Sequence, residues 1–155
     1  MLKKLCAVAI LGTSVIMTAC SNNPVSPTPS ETITQSNLLQ LQQSTWILTH
    51  LGNMQVTTKP STTNIPSLQF SNDGRVSGAD GCNRIMGSYN AGRDTLSLSQ
   101  MASTRMACLD KNYVPEKYVE ALNKVTHYQV YNKTLKLTDK NGNVLLQFTS
   151  AVQPR

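Results

Sequence analysis

The stretch Leu68–Tyr89, LQFSNDGRVSGADGCNRIMGSY, sets the architecture. Leu68-Gln69-Phe70 alternates apolar and polar residues, the period of a half-buried strand. Asn72-Asp73-Gly74 follows, and such a triplet between two apolar runs is a hairpin signal. Arg75–Gly78 returns beside the first strand, and Ile85–Tyr89 supplies the next before Asn90-Ala91-Gly92 turns the chain again. Gly81 and Gly87 fall where a bend, a bulge or a close backbone approach is expected. Asn83 carries a short amide suited to satisfying backbone groups at such a bend. Tyr89 brings apolar bulk with its hydroxyl at the rim.

The same texture extends in both directions. Thr45–Leu51 (TWILTHL) reads as a strand with Trp46 and Leu48 on one face and Ile47 on the other. Thr95–Ser99 alternates cleanly, and His127–Tyr131, Thr134–Thr138 and Val144–Thr149 close the chain, the last two joined across Asp139–Asn143. Val114–Val125 breaks the pattern. Val114, Tyr118, Val119, Leu122 and Val125 recur at helical spacing, Pro115 stands near the start, and Glu120–Lys124 is a favourable pair four residues apart. Leu38–Leu41 reads as a short turn of helix. The prediction is an α+β, mostly β fold: a strongly curved antiparallel sheet or partly open small barrel of about eight strands, with one covering helix.

The first residues read as a targeting segment. Lys3 and Lys4 precede a mostly apolar run, Leu5–Met17, which is too short for a spanning helix of about 20 residues. Met17-Thr18-Ala19-Cys20 resembles the lipobox of bacterial lipoproteins. That resemblance implies cleavage before Cys20, lipidation of its thiol and acylation of the new amino group with chains such as palmitate. One chain anchors only marginally, at about 0.8 kcal/mol per buried CH₂, but several hold a protein in the membrane. Residues 1–19 are thus expected to be a lipoprotein signal peptide. Residues 20–37, rich in Pro, Ser and Thr, are expected to be a flexible tether, 38–151 the folded domain, and 152–155 a tail. In lipoproteins of this kind Asp after the lipidated Cys retains the protein in the inner membrane. Ser21 therefore points to the outer membrane, on its periplasmic side.

The chain has 155 residues and a formal charge of +6, two of it from Lys3 and Lys4. The remaining basic residues are scattered among acids, which gives no nucleic-acid footprint. Of four cysteines, Cys6 leaves with the signal and Cys20 takes lipid. In an exported protein the remaining two, Cys82 and Cys108, read as one disulfide, worth roughly 3 kcal/mol in the chain-entropy model.

Two segments carry a resemblance to a known family. Gly81-Cys82-Asn83-Arg84-Ile85-Met86-Gly87-Ser88-Tyr89 and Thr104-Arg105-Met106-Ala107-Cys108, after a first strand containing Trp46, are similar to the META/HslJ family of small bacterial domains. The motif positions are Trp46, Gly81, Asn83, Gly87, Tyr89, Thr104, Arg105 and Met106. The resemblance covers roughly Leu38–Ala151. It implies a curved sheet with one helix, similar to small pilotin-like lipoproteins, and an association with heat or envelope stress. It implies no reaction and no cofactor. Arg105 is expected to pair structurally with Asp80 or Asp110, the alternative being a ligand-facing patch.

Sharper chemistry finds little support. A thiol enzyme needs a histidine beside Cys82 or Cys108, but His50 and His127 both fall within strands and in no catalytic signature. No C-x-x-C or H-x-x-x-H spacing suggests zinc. Asp73, Asp94 and Asp139 belong to turns, and Asp80 draws notice only through its place beside the motif. The expectation is a monomeric, non-catalytic interaction module, held to the membrane by its lipid, with an envelope protein or peptide as partner. The alternative is a carrier holding a lipid or acyl chain in the half-open barrel. An inner face filled by Trp46, Leu48, Phe70 and the helix favours the first, and a cavity of several hundred Å³ the second.

Overall fold

The computed structural model describes residues 29–57, 64–107 and 114–151, with side chains from Ser36 onward. Helix α1 spans Pro29–Gln42. Strands β1 (Thr45–Leu51), β2 (Met54–Gln55), β3 (Ser67–Phe70), β4 (Arg75–Ala79), β5 (Arg84–Ala91) and β6 (Leu96–Ser103) follow. Helix α2 (Val114–Leu122) precedes β7 (His127–Tyr131), β8 (Thr134–Thr138) and β9 (Val144–Ser150). Eight strands pair in the order β6-β5-β4-β3-β1-β9-β8-β7, and the short β2 pairs with β1 off that path. All pairings are antiparallel, and the sheet curls into a half-barrel.

The alternating patterns bury one face of each strand. Trp46 and Leu48, Leu68 and Phe70, Val76, Ile85 and Tyr89, Leu135 and Leu137, and Leu146 and Phe148 all point inward. Burying each large side chain contributes about 1.5–3 kcal/mol, so this face supplies most of the driving force. From α2, Tyr118 and Leu122 join the core, where the Tyr118 ring meets Phe148 edge to face with centroids 6.3 Å apart. Two helices, rather than one, cover the sheet. α1 packs on β3 and β7, and α2 on β1 and β9.

Composition alone reads residues 29–37 as tether, yet α1 begins at Pro29. Proline suits a first helical residue, whose N–H has no partner within the helix. At the other end Leu41 is fully buried and its carbonyl accepts the Trp46 indole N–H at 2.8 Å. Once such an anchored turn exists, each added residue gains one hydrogen bond without a further nucleation cost.

Both sheet edges are partly covered, as folds that avoid edge-to-edge aggregation require. β6 and β7 meet at one end, where Leu96 N–H donates to the Thr126 carbonyl at 2.9 Å and Tyr128 N–H to the Asp94 carbonyl at 2.8 Å. Beyond that seam α1 packs on β7, while the far half of β6 faces α2 across a niche of only about 40 Å³.

Candidate functional site

Most motif residues gather at two places, one at the start of β5 and one around Tyr89 farther along it. The first is a clasp between the start of β5 and the segment after β6. Asp80 is 1 % exposed, and its Oδ1 accepts the backbone N–H groups of Cys82 at 2.9 Å and Asn83 at 2.6 Å. Asp80 N–H donates to the Asn83 carbonyl at 3.0 Å, closing a tight loop. Gly81 sits inside it at φ +106°, a conformation L side chains rarely adopt, with the Pro66 ring alongside.

Asn83 then bridges outward. It is 9 % exposed, its Nδ2 lies 3.4 Å from Asp80 Oδ2, and its Oδ1 accepts Met106 N–H at 2.7 Å and the Thr104 hydroxyl at 3.3 Å. Thr104 also exchanges bonds with the Arg84 backbone, N–H to carbonyl at 3.0 Å and N–H to Oγ1 at 3.1 Å. Cys82 is disulfide-bonded, and the Asn64 amide donates to its carbonyl. Cys108, the expected partner, lies outside the described residues, as do Cys20 and Asp110. Gly87 sits at a bulge in the β5–β6 ladder: a Cβ there would fall 2.5 Å from Met101 Sδ and 2.9 Å from the Ser99 carbonyl oxygen.

The second cluster seats α1. Tyr89 is buried against Phe70 edge to face, centroids 5.1 Å apart. Its hydroxyl donates to the Ser71 carbonyl at 2.7 Å and accepts the Gln42 amide, also at 2.7 Å. Trp46 meets Leu41 on the same helix, and Asn37 Nδ2 donates to the Arg93 carbonyl at 3.0 Å. The motif is therefore two structural joints.

Of the two expected partners of Arg105, Asp110 lies outside the described residues and Asp80 is not the one. Arg105 does not pair with Asp80, because Asp80 is sealed beneath the clasp while Arg105 lies exposed with no ion pair to a described residue. Arg105 instead borders a shallow depression of about 370 Å³, shared with Asn83, Met106, Pro115, Glu116 and Val119. It offers the Arg105 cation, the Glu116 carboxylate with the buried Asp80 carboxylate at its base, and a short apolar floor.

Tyr118, which the helical spacing marks only as core, proves to be the clasp's support. Its hydroxyl donates to the Ser67 carbonyl at 3.1 Å, and burial, followed by the nearby Asp80 charge, pushes its pKa well above 10.0. Asp80 is the other residue underrated from sequence. The signal was available in Asp80-Gly81-Cys82-Asn83, an Asp two and three residues ahead of the N–H groups it caps.

The described histidines and turn aspartates sit apart in the fold. His50 and His127 stand on β1 and β7, each Nδ1 beside its neighbouring threonine hydroxyl at 3.1 and 2.9 Å. Asp73 pairs with Arg75 at 3.2 Å, and Asp139 accepts the N–H groups of Asn141 and Asn143. Among the described residues no three His, Cys, Asp or Glu side chains are placed to hold a metal, and no helix is long and apolar enough to cross a membrane.

The META domain family model matches residues 39–152. An NMR structure of a protein from Burkholderia xenovorans is similar over 89 % of this chain and 100 % of its own, at 27 % identity and TM-score 0.57. A second NMR structure covers 72 % of this chain and 92 % of its own at 25 % identity and TM-score 0.57. A crystal structure of a DUF4847 family protein from Bacteroides vulgatus ATCC 8482 shares the fold, at 20 % identity and TM-score 0.52, over 74 % of this chain and 96 % of its own. No curated protein matches.

Proposed function

This chain belongs to the META domain family, and from that premise we propose that it is a non-catalytic interaction module of the cell envelope. Lipid on Cys20 anchors it to the outer membrane on the periplasmic side, where it contacts envelope proteins or peptides. The link to heat or envelope stress follows from the family resemblance.

The observation that supports a module over a carrier is the filled interior. Trp46, Leu48, Phe70, Tyr118 and Phe148 are all within a few per cent of complete burial. The apolar niche between β6 and α2 holds about 40 Å³, against the several hundred that ligand sites usually enclose. The larger hollows, of about 370 to 440 Å³, are open depressions on the outside with mixed polar linings.

Intact mass of protein extracted from native membranes tests the reading. The expected mass begins at Cys20 and carries several acyl chains, with Cys82 and Cys108 alkylated only after reduction. Native mass spectrometry should show no further lipid. A noncovalent lipid bound one to one would replace the module with the carrier, and a mass without acyl chains would remove the anchor.

A further inference from the structure

Each of the two motif segments carries a methionine that the fold leaves outside. Met86 on β5 is 58 % exposed, and Met106 after β6 is 54 % exposed. Neither serves the core. Met86 stands on the outer face of its strand, between inward-facing Ile85 and the bulge at Gly87, opposite exposed Ala102. Met106 donates its backbone N–H to Asn83 Oδ1 at 2.7 Å while more than half of the residue stays exposed. Met101 is the internal contrast: half-buried, it packs on the hydrophobic core with its sulfur against the Gly87 bulge.

We propose that Met86 and Met106 are sites of reversible methionine oxidation, with a hydroperoxide as oxidant. A sulfur lone pair attacks the terminal peroxide oxygen, an S–O bond forms as the O–O bond breaks, and the proton on the transferred oxygen passes, through solvent, to the departing one. The thioether loses two electrons to become a sulfoxide, and hydrogen peroxide becomes water. Susceptibility follows exposure, and the product turns a flexible apolar group into a polar one. At Met86 the sulfoxide projects into solvent. At Met106 it makes the wall of the Arg105 depression polar without touching the N–H that holds the clasp. The fold therefore tolerates at these two positions a modification that it would not tolerate at Met101.

Peptide mapping of the full chain in peroxide-free detergent, after graded exposure to hydrogen peroxide, tests this, with the urea-unfolded chain as reference. Met86 and Met106 should oxidise within about threefold of their unfolded rates, and Met101 about tenfold or more slowly than its own, as exposure dictates. The doubly oxidised protein should keep its melting temperature, and methionine sulfoxide reductases should restore both residues. Protection of Met86 and Met106 equal to that of Met101 would overturn the proposal, as would a melting temperature that falls with their oxidation.

Discussion

Replacing Asn83 with Ala tests whether the motif is architecture. The substitution removes the acceptor of Met106 N–H and of the Thr104 hydroxyl, and the amide beside Asp80 Oδ2. Leaving a buried polar group unmatched costs about 1–3 kcal/mol. Met106 lies near the surface, where water recovers part of its bond, and Asp80 keeps its two backbone donors through Oδ1. The expected loss is about 2 kcal/mol, which for a domain of this size lowers Tm by roughly 8 °C. Thermal unfolding followed by far- and near-ultraviolet circular dichroism measures it, and coincident transitions confirm that one Tm describes the change. Because Cys82 adjoins Asn83, the comparison is repeated with the disulfide reduced. A clasp built from hydrogen bonds predicts the same drop in both states. A shift below about 2 °C, or one present only while the disulfide is intact, would refute the reasoning. Asn83→Asp sharpens the test by placing a second carboxylate beside Asp80. The like charges and the lost amide donor should lower its Tm at least as far as Asn83→Ala does.

Gly78→Ala should cost about 3 kcal/mol or more, because its Cβ would run into the Ser67 backbone; Gly52→Ala, at φ +57° in open space, should cost only about 1 kcal/mol, and chemical denaturation of both separates the two. Tyr118 and Tyr128 both titrate above 10.0 in the fold, so their contribution to stability should be flat below that pH and fall above it, as the unfolded chain loses protons first. Tyr118, raised the further, adds a slope of at most about 1.4 kcal/mol per pH unit there, and Tyr118→Phe should remove its share in alkaline urea titrations. Asp139 has the opposite sign. The Asn143 side-chain bond, with further backbone donors, lowers its pKa from 3.8, so its contribution is present above that value and is lost on acidification through the lowered one. Asp139→Ala should lose the acid-side dependence.

What the sequence reveals here depends on how local the cause is. β1, β7 and β8 follow from alternation and their turns to the residue, since a period of two that stops at Gly52, Asn132 or Asp139 leaves few other readings. β2 is too short to show a period. α1 escapes because its first half has no apolar stripe, and its seat depends on Trp46 and Tyr89, which lie far along the chain. The Arg105–Asp80 pair was a natural inference from charge. It fails because backbone N–H groups reached the carboxylate first, at a bend whose glycine adopts positive φ.

That failure also bears on function. Six of the eight motif residues are accounted for by joints inside the fold: Trp46 and Tyr89 hold α1, Gly81, Asn83 and Thr104 form the clasp, and Gly87 makes room for the bulge. Thr104, Arg105 and Met106 are the exposed motif residues, and the last two stand side by side above the clasp. A motif kept for architecture recurs in proteins with unrelated partners, so membership in the family fixes the frame more firmly than the task. Any task that the motif itself encodes must then pass through the surface these two side chains share with α2. Arg105→Ala and Met106→Ala should leave Tm within about 2 °C of the parent, and a change in partner binding by either variant would place the partner there.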